Sequence, residues 1–191
     1  MRIGASKSKT KEVEVSAQVN LDGTGLAKVS TGVPFLDHML TSLASHSLID
    51  VEVEAKGDLM HHTVEDVALC LGRAFDQALG DRLGLMRFGN ARVPMDDSVA
   101  LVTVDLVKRP YCAVSLKLER DAIEGMARED VYHFVRSWAF SGQITLHMQV
   151  EYGENDHHKV EAAVKALALS LRQAVSLDPR RVGAPSSKGV M

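Results

Sequence analysis

His61-His62-Thr63-Val64-Glu65 and His157-His158-Lys159-Val160-Glu161 are one phrase written twice in the chain. In each, a histidine pair is followed by a glutamate four residues after the first His and three after the second, which on a helix brings the carboxylate to the side of the imidazoles. A lone histidine stands upstream at nearly the same distance: His38 lies 23 residues before His61, and His133 lies 24 before His157. Six of the eight histidines therefore belong to a unit that occurs twice, and such repetition governs how the whole chain is read. A single His-His pair is an ordinary surface feature. Two pairs sharing a glutamate offset and an upstream histidine have the pattern of metal ligands.

Duplication predicts an α+β protein of two similar halves, each a small sheet in the order strand, strand, helix, strand, helix, with the helices packed on one face. The halves are taken as residues 1–90 and 91–191 of one compact unit, the second ending in a tail. Working outward from the first phrase, Val64, Val67, Ala68, Leu71, Ala74, Phe75 and Ala78 make the apolar face of a helix that the histidine pair opens. Before it, Leu48 to Ala55 alternates as a strand, and Phe35 to Leu43 has helical spacing after the break at Thr31-Gly32-Val33-Pro34. Lys11 to Asn20 alternates strictly and is predicted to form a hairpin with Leu26 to Ser30 across Leu21-Asp22-Gly23-Thr24-Gly25. Gly80 to Asn90 is glycine-punctuated and reads as the connection between halves.

The second half repeats the plan. Val99 to Val107 and Tyr111 to Leu118 are predicted as a hairpin across Lys108-Arg109-Pro110, followed by a helix from Glu129 to about Ala139 and a strand from Ile144 to Tyr152. The second phrase then opens a helix through Val164, Leu167, Ala168, Leu171 and Val175. From Asp178 onward the chain has four Pro or Gly residues and no periodicity, yet Ser186-Ser187-Lys188-Gly189 offers two hydroxyls, a cation and flexible amides, groups that hold phosphate.

Composition narrows the partners. With 46% hydrophobic and 25% charged residues the chain is an ordinary globular one, and a net charge of −3 gives no reason to expect nucleic acid or an anionic membrane. Cys70 and Cys112 lack any motif spacing and are expected as free thiols. The N-terminus has no apolar core of signal-peptide length and no stretch approaches the length of a membrane span, so a cytoplasmic location is expected.

Adjacent residues on a helix diverge by about 100°, so the two histidines of a pair are expected to serve two different ions. Two repeats supply six histidines and two glutamates, enough for two sites of about three imidazoles and one carboxylate. Such sites suit transition ions rather than Ca or Mg. Ligands at a helix N-terminus can also complete a site on a second chain, making the ion an assembly clip.

The combined pattern resembles the imidazoleglycerol-phosphate dehydratase family. Carrying the resemblance are Phe35-Leu36-Asp37-His38-Met39-Leu40, His46-Ser47, Gly57-Asp58, His61-His62-Thr63-Val64-Glu65-Asp66, Arg87-Phe88-Gly89 and Pro94-Met95-Asp96-Asp97, followed by Arg109-Pro110-Tyr111, Thr145-Leu146-His147, Asn155-Asp156-His157-His158 and Pro185-Ser186-Ser187-Lys188-Gly189. Only Leu59-Met60 separate Gly57-Asp58 from the first histidine pair, where the family usually has a longer acidic segment. The resemblance implies a manganese-dependent hydro-lyase of histidine biosynthesis with two Mn²⁺ per subunit. It would convert imidazole glycerol phosphate to imidazole acetol phosphate in a 24-subunit homo-oligomer built from trimers.

It also implies roles. His38, His61, His62, Glu65, His133, His157, His158 and Glu161 become metal ligands. Arg87, Arg109, Ser186, Ser187 and Lys188 become phosphate or substrate contacts, with Glu12, His38 and His46 also facing substrate; His147 is structural. Glu12, Glu65 and Glu161 become the carboxylates that move protons. Two rival classes remain: a non-catalytic metal-assembled shell, which has no use for a phosphate-binding tail, and a di-metal hydrolase.

Overall fold

The computed structural model describes residues 1–189; Val190 and Met191, the last residues of the expected closing tail, lie outside the described residues. In chain order the elements are β1 (Ile3–Lys9), β2 (Val13–Asn20), β3 (Ala27–Ser30), α1 (Pro34–Ser47), β4 (Asp50–Gly57), α2 (Met60–Leu79), β5 (Phe88–Met95), β6 (Ser98–Asp105), β7 (Tyr111–Ser115), β8 (Ala122–Ile123), β9 (Met126–Ala127), α3 (Arg128–Ser141), β10 (Thr145–Tyr152) and α4 (Asp156–Ala174). Two four-stranded sheets have the orders β1-β2-β4-β3 and β5-β6-β10-β7, one plan built twice.

Each sheet buries one face, which is why its strands alternate: Val13, Val15, Ala17 and Val19 point inward from β2, and Ala100, Val102 and Val104 from β6. Helix α2 covers β1 and β2, α4 covers β5 and β6, and the helices meet as α1 with α4 and α2 with α3. The helices form the layer between the sheets, and one continuous apolar core spans both halves.

The edges differ from the expected pattern. The predicted hairpin of Lys11–Asn20 with Leu26–Ser30 does not form: β2 pairs antiparallel with β1 and β4, while β3 lies parallel to the far side of β4. The cause is Asp50, whose Oδ1 accepts the amides of Thr24, Gly25 and Leu26 at 2.8–3.0 Å and leads the turn across the end of β4. Likewise β7 does not pair back onto β6 but runs parallel to β10, which sits between them. Part of the segment expected as a connection, Gly80 to Asn90, is the beginning of β5, so the second sheet starts at Phe88.

Both first strands lie hard against a helix. A side-chain carbon at Gly4 would stand 2.0 Å from the Ala74 carbonyl of α2, and one at Gly89 would stand 1.9 Å from the Ser170 carbonyl of α4. Only glycine permits that approach, and it occurs at matching places in both halves.

Paired helices run in the same direction. Along α2 and α3, His61 meets Asp130 at the start and Ser141 donates to the Ala68 carbonyl further on. Along α1 and α4, the Phe35 ring lies 5.3 Å from His157. At the other end, buried Arg82, just past α2, donates to the carbonyls of Gly142 and Gln143 past α3. Arg2 donates to the Val175 carbonyl at the end of α4, and the Ala5 amide to the Gln77 side chain of α2. The N-termini therefore gather at one end of the molecule, and the histidine phrases with them.

Candidate metal centre

Among the described residues two groups of donors form at this end, and each crosses between halves. His38 from α1 joins His157 and Glu161 from α4; His133 from α3 joins His61 and Glu65 from α2, with all donor atoms of each group within 4.8 Å of one another. Glu161 Oε2 stands 3.2 Å from His157 Nε2 and 3.6 Å from His38 Nε2, and Glu65 Oε1 stands 3.3 Å from His133 Nε2. Donors about 2.1 Å from one ion and at right angles lie about 3 Å apart, so the spacing suits half of an octahedral shell. Two imidazoles and a carboxylate also suit a transition ion.

Helix N-termini carry a partial positive charge of about half a unit, which by itself opposes a cation there; the carboxylates supply the compensating charge. Burial works to raise the Glu161 pKa, but Lys165, 2.9 Å away, and His38 outweigh it and hold the carboxyl below its ordinary value. It is therefore anionic, as a metal ligand would have to be.

The pairs diverge as expected on a helix. His62 and His158 join neither group; their rings lie 6.3 and 6.1 Å from those of His61 and His157. Glu12, exposed in the turn between β1 and β2, has its carboxylate 3.9 Å from His62 Nδ1. His62 is raised above the ordinary histidine value, chiefly by its hydrogen bond to Asp58.

The expected phosphate contacts are elsewhere. The Arg87 amide bonds to the Ala174 carbonyl at the C-terminus of α4, and the 19 residues of that helix put it roughly 28 Å from the histidine end. Its guanidinium grips Asp105 with Nε at 2.6 Å and Nη2 at 2.9 Å, while Nη1 holds the Pro185 carbonyl of the tail at 2.8 Å. Two of its five N–H donors are left for another ligand. Arg109 is exposed beside the start of β7, and its carbonyl accepts the Thr145 hydroxyl. Ser186, Ser187 and Lys188 follow Pro185, with the last two exposed. His46 is exposed in the last turn of α1, and His147 on the outer sheet face lies 5.5 Å from the Tyr111 ring. One chain thus carries the candidate ligands at one end and the candidate phosphate groups at the other.

Behind the histidines stand carboxylates that the histidine pattern does not announce. Asp130 lies 2.6 Å from His61 Nδ1, Asp58 2.9 Å from His62 Nδ1, Asp97 2.5 Å from His158 Nδ1 and Glu124 3.4 Å from His157 Nδ1. Asp97 also accepts the amides of Asn155 and Glu154, and His158 with those amides holds its carboxyl well below the usual range. Asp58, four residues before His62, was readable from spacing. Asp130, Asp97 and Glu124 are 69, 61 and 33 residues from their partners, and nothing in the sequence joins them.

The sequence model of imidazoleglycerol-phosphate dehydratase matches residues 31–171. A curated protein of that name from Dehalococcoides mccartyi (strain ATCC BAA-2266 / KCTC 15142 / 195) is 50% identical over 191 residues, covering 100% of this chain and 97% of its own. A chloroplastic one from Arabidopsis thaliana is 48% identical, covering 100% of this chain and 72% of its own. Among solved structures, IGPD from Pyrococcus furiosus in complex with (S)-C348 aligns with a TM-score of 0.83 at 36% identity, over 97% of this chain and 99% of that one. Imidazoleglycerol-phosphate dehydratase from Staphylococcus aureus gives the same TM-score at 29% identity, over 91% and 99%.

Proposed function

The chain belongs to the imidazoleglycerol-phosphate dehydratase family, and from that premise we propose that the two histidine–glutamate groups hold the ions of a metal-dependent hydro-lyase. The reaction is loss of water from imidazole glycerol phosphate, giving imidazole acetol phosphate in histidine biosynthesis. Its difficulty is a weakly acidic C–H beside an imidazole ring with no carbonyl to take the electrons. A divalent transition ion held by the two groups, Mn²⁺ in our reading, would supply a Lewis acid to take up that charge.

The chain's own residues supply the rest. His38, His157 and Glu161 make one ligand set and His61, Glu65 and His133 the other, two ions per chain. His62 and His158, turned away from both sets, reach toward sites completed by a neighbouring chain. Glu12 is the carboxylate placed to move protons, because it is exposed with its oxygen 3.9 Å from His62 Nδ1. Glu65 and Glu161 serve mainly as ligands. Arg87, Arg109, Ser186, Ser187 and Lys188 take the phosphate, and His46 lies toward substrate only through assembly.

The observation carrying this reading is the pair of donor groups, each drawn from both halves. The roughly 28 Å between ligands and phosphate groups gives assembly a catalytic purpose: one subunit brings its tail to another's ions. A homo-oligomer of trimers reaching 24 subunits fits that need, with no membrane or nucleic acid involved. No helix of the described residues is long and apolar enough to cross a membrane. The test is turnover of imidazole glycerol phosphate by product absorbance. Mn²⁺-loaded protein should be active, chelated protein inactive, and re-added Mn²⁺ restorative. Full activity in protein shown to hold no metal would overturn the metal requirement.

A further inference from the structure

All four paired histidines make the same contact. Each turns Nδ1 to a carboxylate, and the four carboxylates come from four separate places: Asp58 from the loop before α2, Asp97 from the turn between β5 and β6, Glu124 from the turn between β8 and β9, and Asp130 from the first turn of α3. We propose that Asp58, Asp97, Asp130 and, more weakly, Glu124 are positioning residues that fix the tautomer and direction of these histidines, so that Nε2 is the ligating atom of each.

An ionised carboxylate can only accept a hydrogen bond, so the nitrogen facing it must carry the proton. A neutral imidazole with its proton on Nδ1 has its lone pair on Nε2. The geometry of His157 agrees, since its Nε2 is the atom that approaches Glu161, at 3.2 Å. Asp130 is the most committed of the four. It is only 4% exposed, has His61 as its one side-chain partner among the described residues, and lies one helical turn before His133 on α3. One helix therefore supplies both a ligand and the brace for a second ligand of the same group.

The two halves reach this contact by different routes. His158 is braced by Asp97, itself fixed by the amides of Glu154 and Asn155, and its Nε2 stands 3.5 Å from exposed Asp96. The corresponding turn between β1 and β2 presents only Glu12, at 3.9 Å from His62. Asp58 makes the close contact instead, from one turn before His62, and its Oδ1 also accepts the Leu59 amide. A contact kept while its residue changes is tied to the histidine it serves. The distances rank the braces: 2.5 Å for Asp97, 2.6 Å for Asp130, 2.9 Å for Asp58 and 3.4 Å for Glu124.

This inference rests on the paired histidines being metal ligands, and its test separates the two. Mn²⁺ binding to the full chain is followed by the paramagnetic resonance of the free ion. Wild-type protein should bind two ions per chain; failure there overturns the ligand reading itself. Given wild-type binding, Asp130→Asn and Asp97→Asn should each weaken one ion by about 10- to 100-fold while sparing the other. Asp130→Glu, which keeps a carboxylate, should recover part of the loss, and Glu124→Gln should change affinity by less than about threefold, as its longer contact implies. A role in packing alone would lower the melting temperature of metal-free protein without this one-ion selectivity. If buried Asp130 does not tolerate change, Asp97→Asn and the exposed Asp58→Asn carry the test. Wild-type affinity for both ions in folded Asp97→Asn and Asp58→Asn proteins would overturn the proposal.

Discussion

Separation of ligands from phosphate groups makes a quantitative demand on mixtures of inactive subunits. Take His133→Ala, which removes a ligand at the N-terminal end of the helices, and a chain ending at Gly183, which removes Ser186, Ser187 and Lys188. The two lesions lie on opposite sides of a helical layer roughly 28 Å deep, too far apart for one chain's tail to close over its own ion. Each variant alone should have about 1% of wild-type activity or less: His133→Ala loses a proposed ion ligand, and the shortened chain loses both serines and the proposed phosphate contact of Lys188, equivalent by itself to about 10- to 100-fold in kcat/KM. Dissociated by chelation, mixed in equal amounts and reassembled with Mn²⁺, they form sites at random. A site drawing His133 from one chain and the tail from another is intact when both choices fall well, a chance of one half each, so about 25% of wild-type activity should return. Variants reassembled separately and then combined should stay inactive. Were mixed assembly demonstrated by native mass spectrometry with no activity gained, ligands and tail would act within one chain and the reasoning would fail.

Two further outcomes follow from the fold. Replacing Asp50 by Ala strips three amides of their acceptor and should destabilise metal-free protein by about 2–4 kcal/mol in denaturant titrations. Burial alone would raise the Asp50 pKa, but the Leu26 and Thr24 amides and Asn20 outweigh it and lower it. Its contribution is thus present above the unfolded carboxylate value, about 3.9, and is lost as pH falls through the lower folded value; Asp50→Asn should flatten that acid limb, and an unchanged limb would refute the assignment. Burial pushes the Cys112 thiol up to about 11, so alkylation at pH 8 should be about 200-fold slower than for a free thiol and recover on unfolding. Rapid modification of native protein at Cys112 would contradict this.

The helices and the histidine unit were legible because both rest on local periodicity. Pairing of the edges was not. Strand β1 carries Gly4, Ala5, Ser6 and Ser8 instead of a branched apolar stripe, and its exclusion of larger residues at Gly4 is set by α2, seventy residues on. The parallel course of β3 and β7 depends on a crossover through a helix, which alternation does not report. In the site, divergence of adjacent histidines predicted two ions, but the exchange that puts His38 with His157 and His133 with His61 is a product of helix packing between halves. The carboxylate braces were hidden for the same reason, save Asp58, whose spacing from His62 was open to view.

Most direct for the central claim is the metal content of the chain itself. Protein saturated with Mn²⁺, dialysed exhaustively and measured by elemental analysis should hold about two ions per chain, and His133→Ala and His38→Ala should each lower the count toward one. A wild-type content near zero, or two ions retained in both variants, would contradict the assignment of the two histidine–glutamate groups as metal sites.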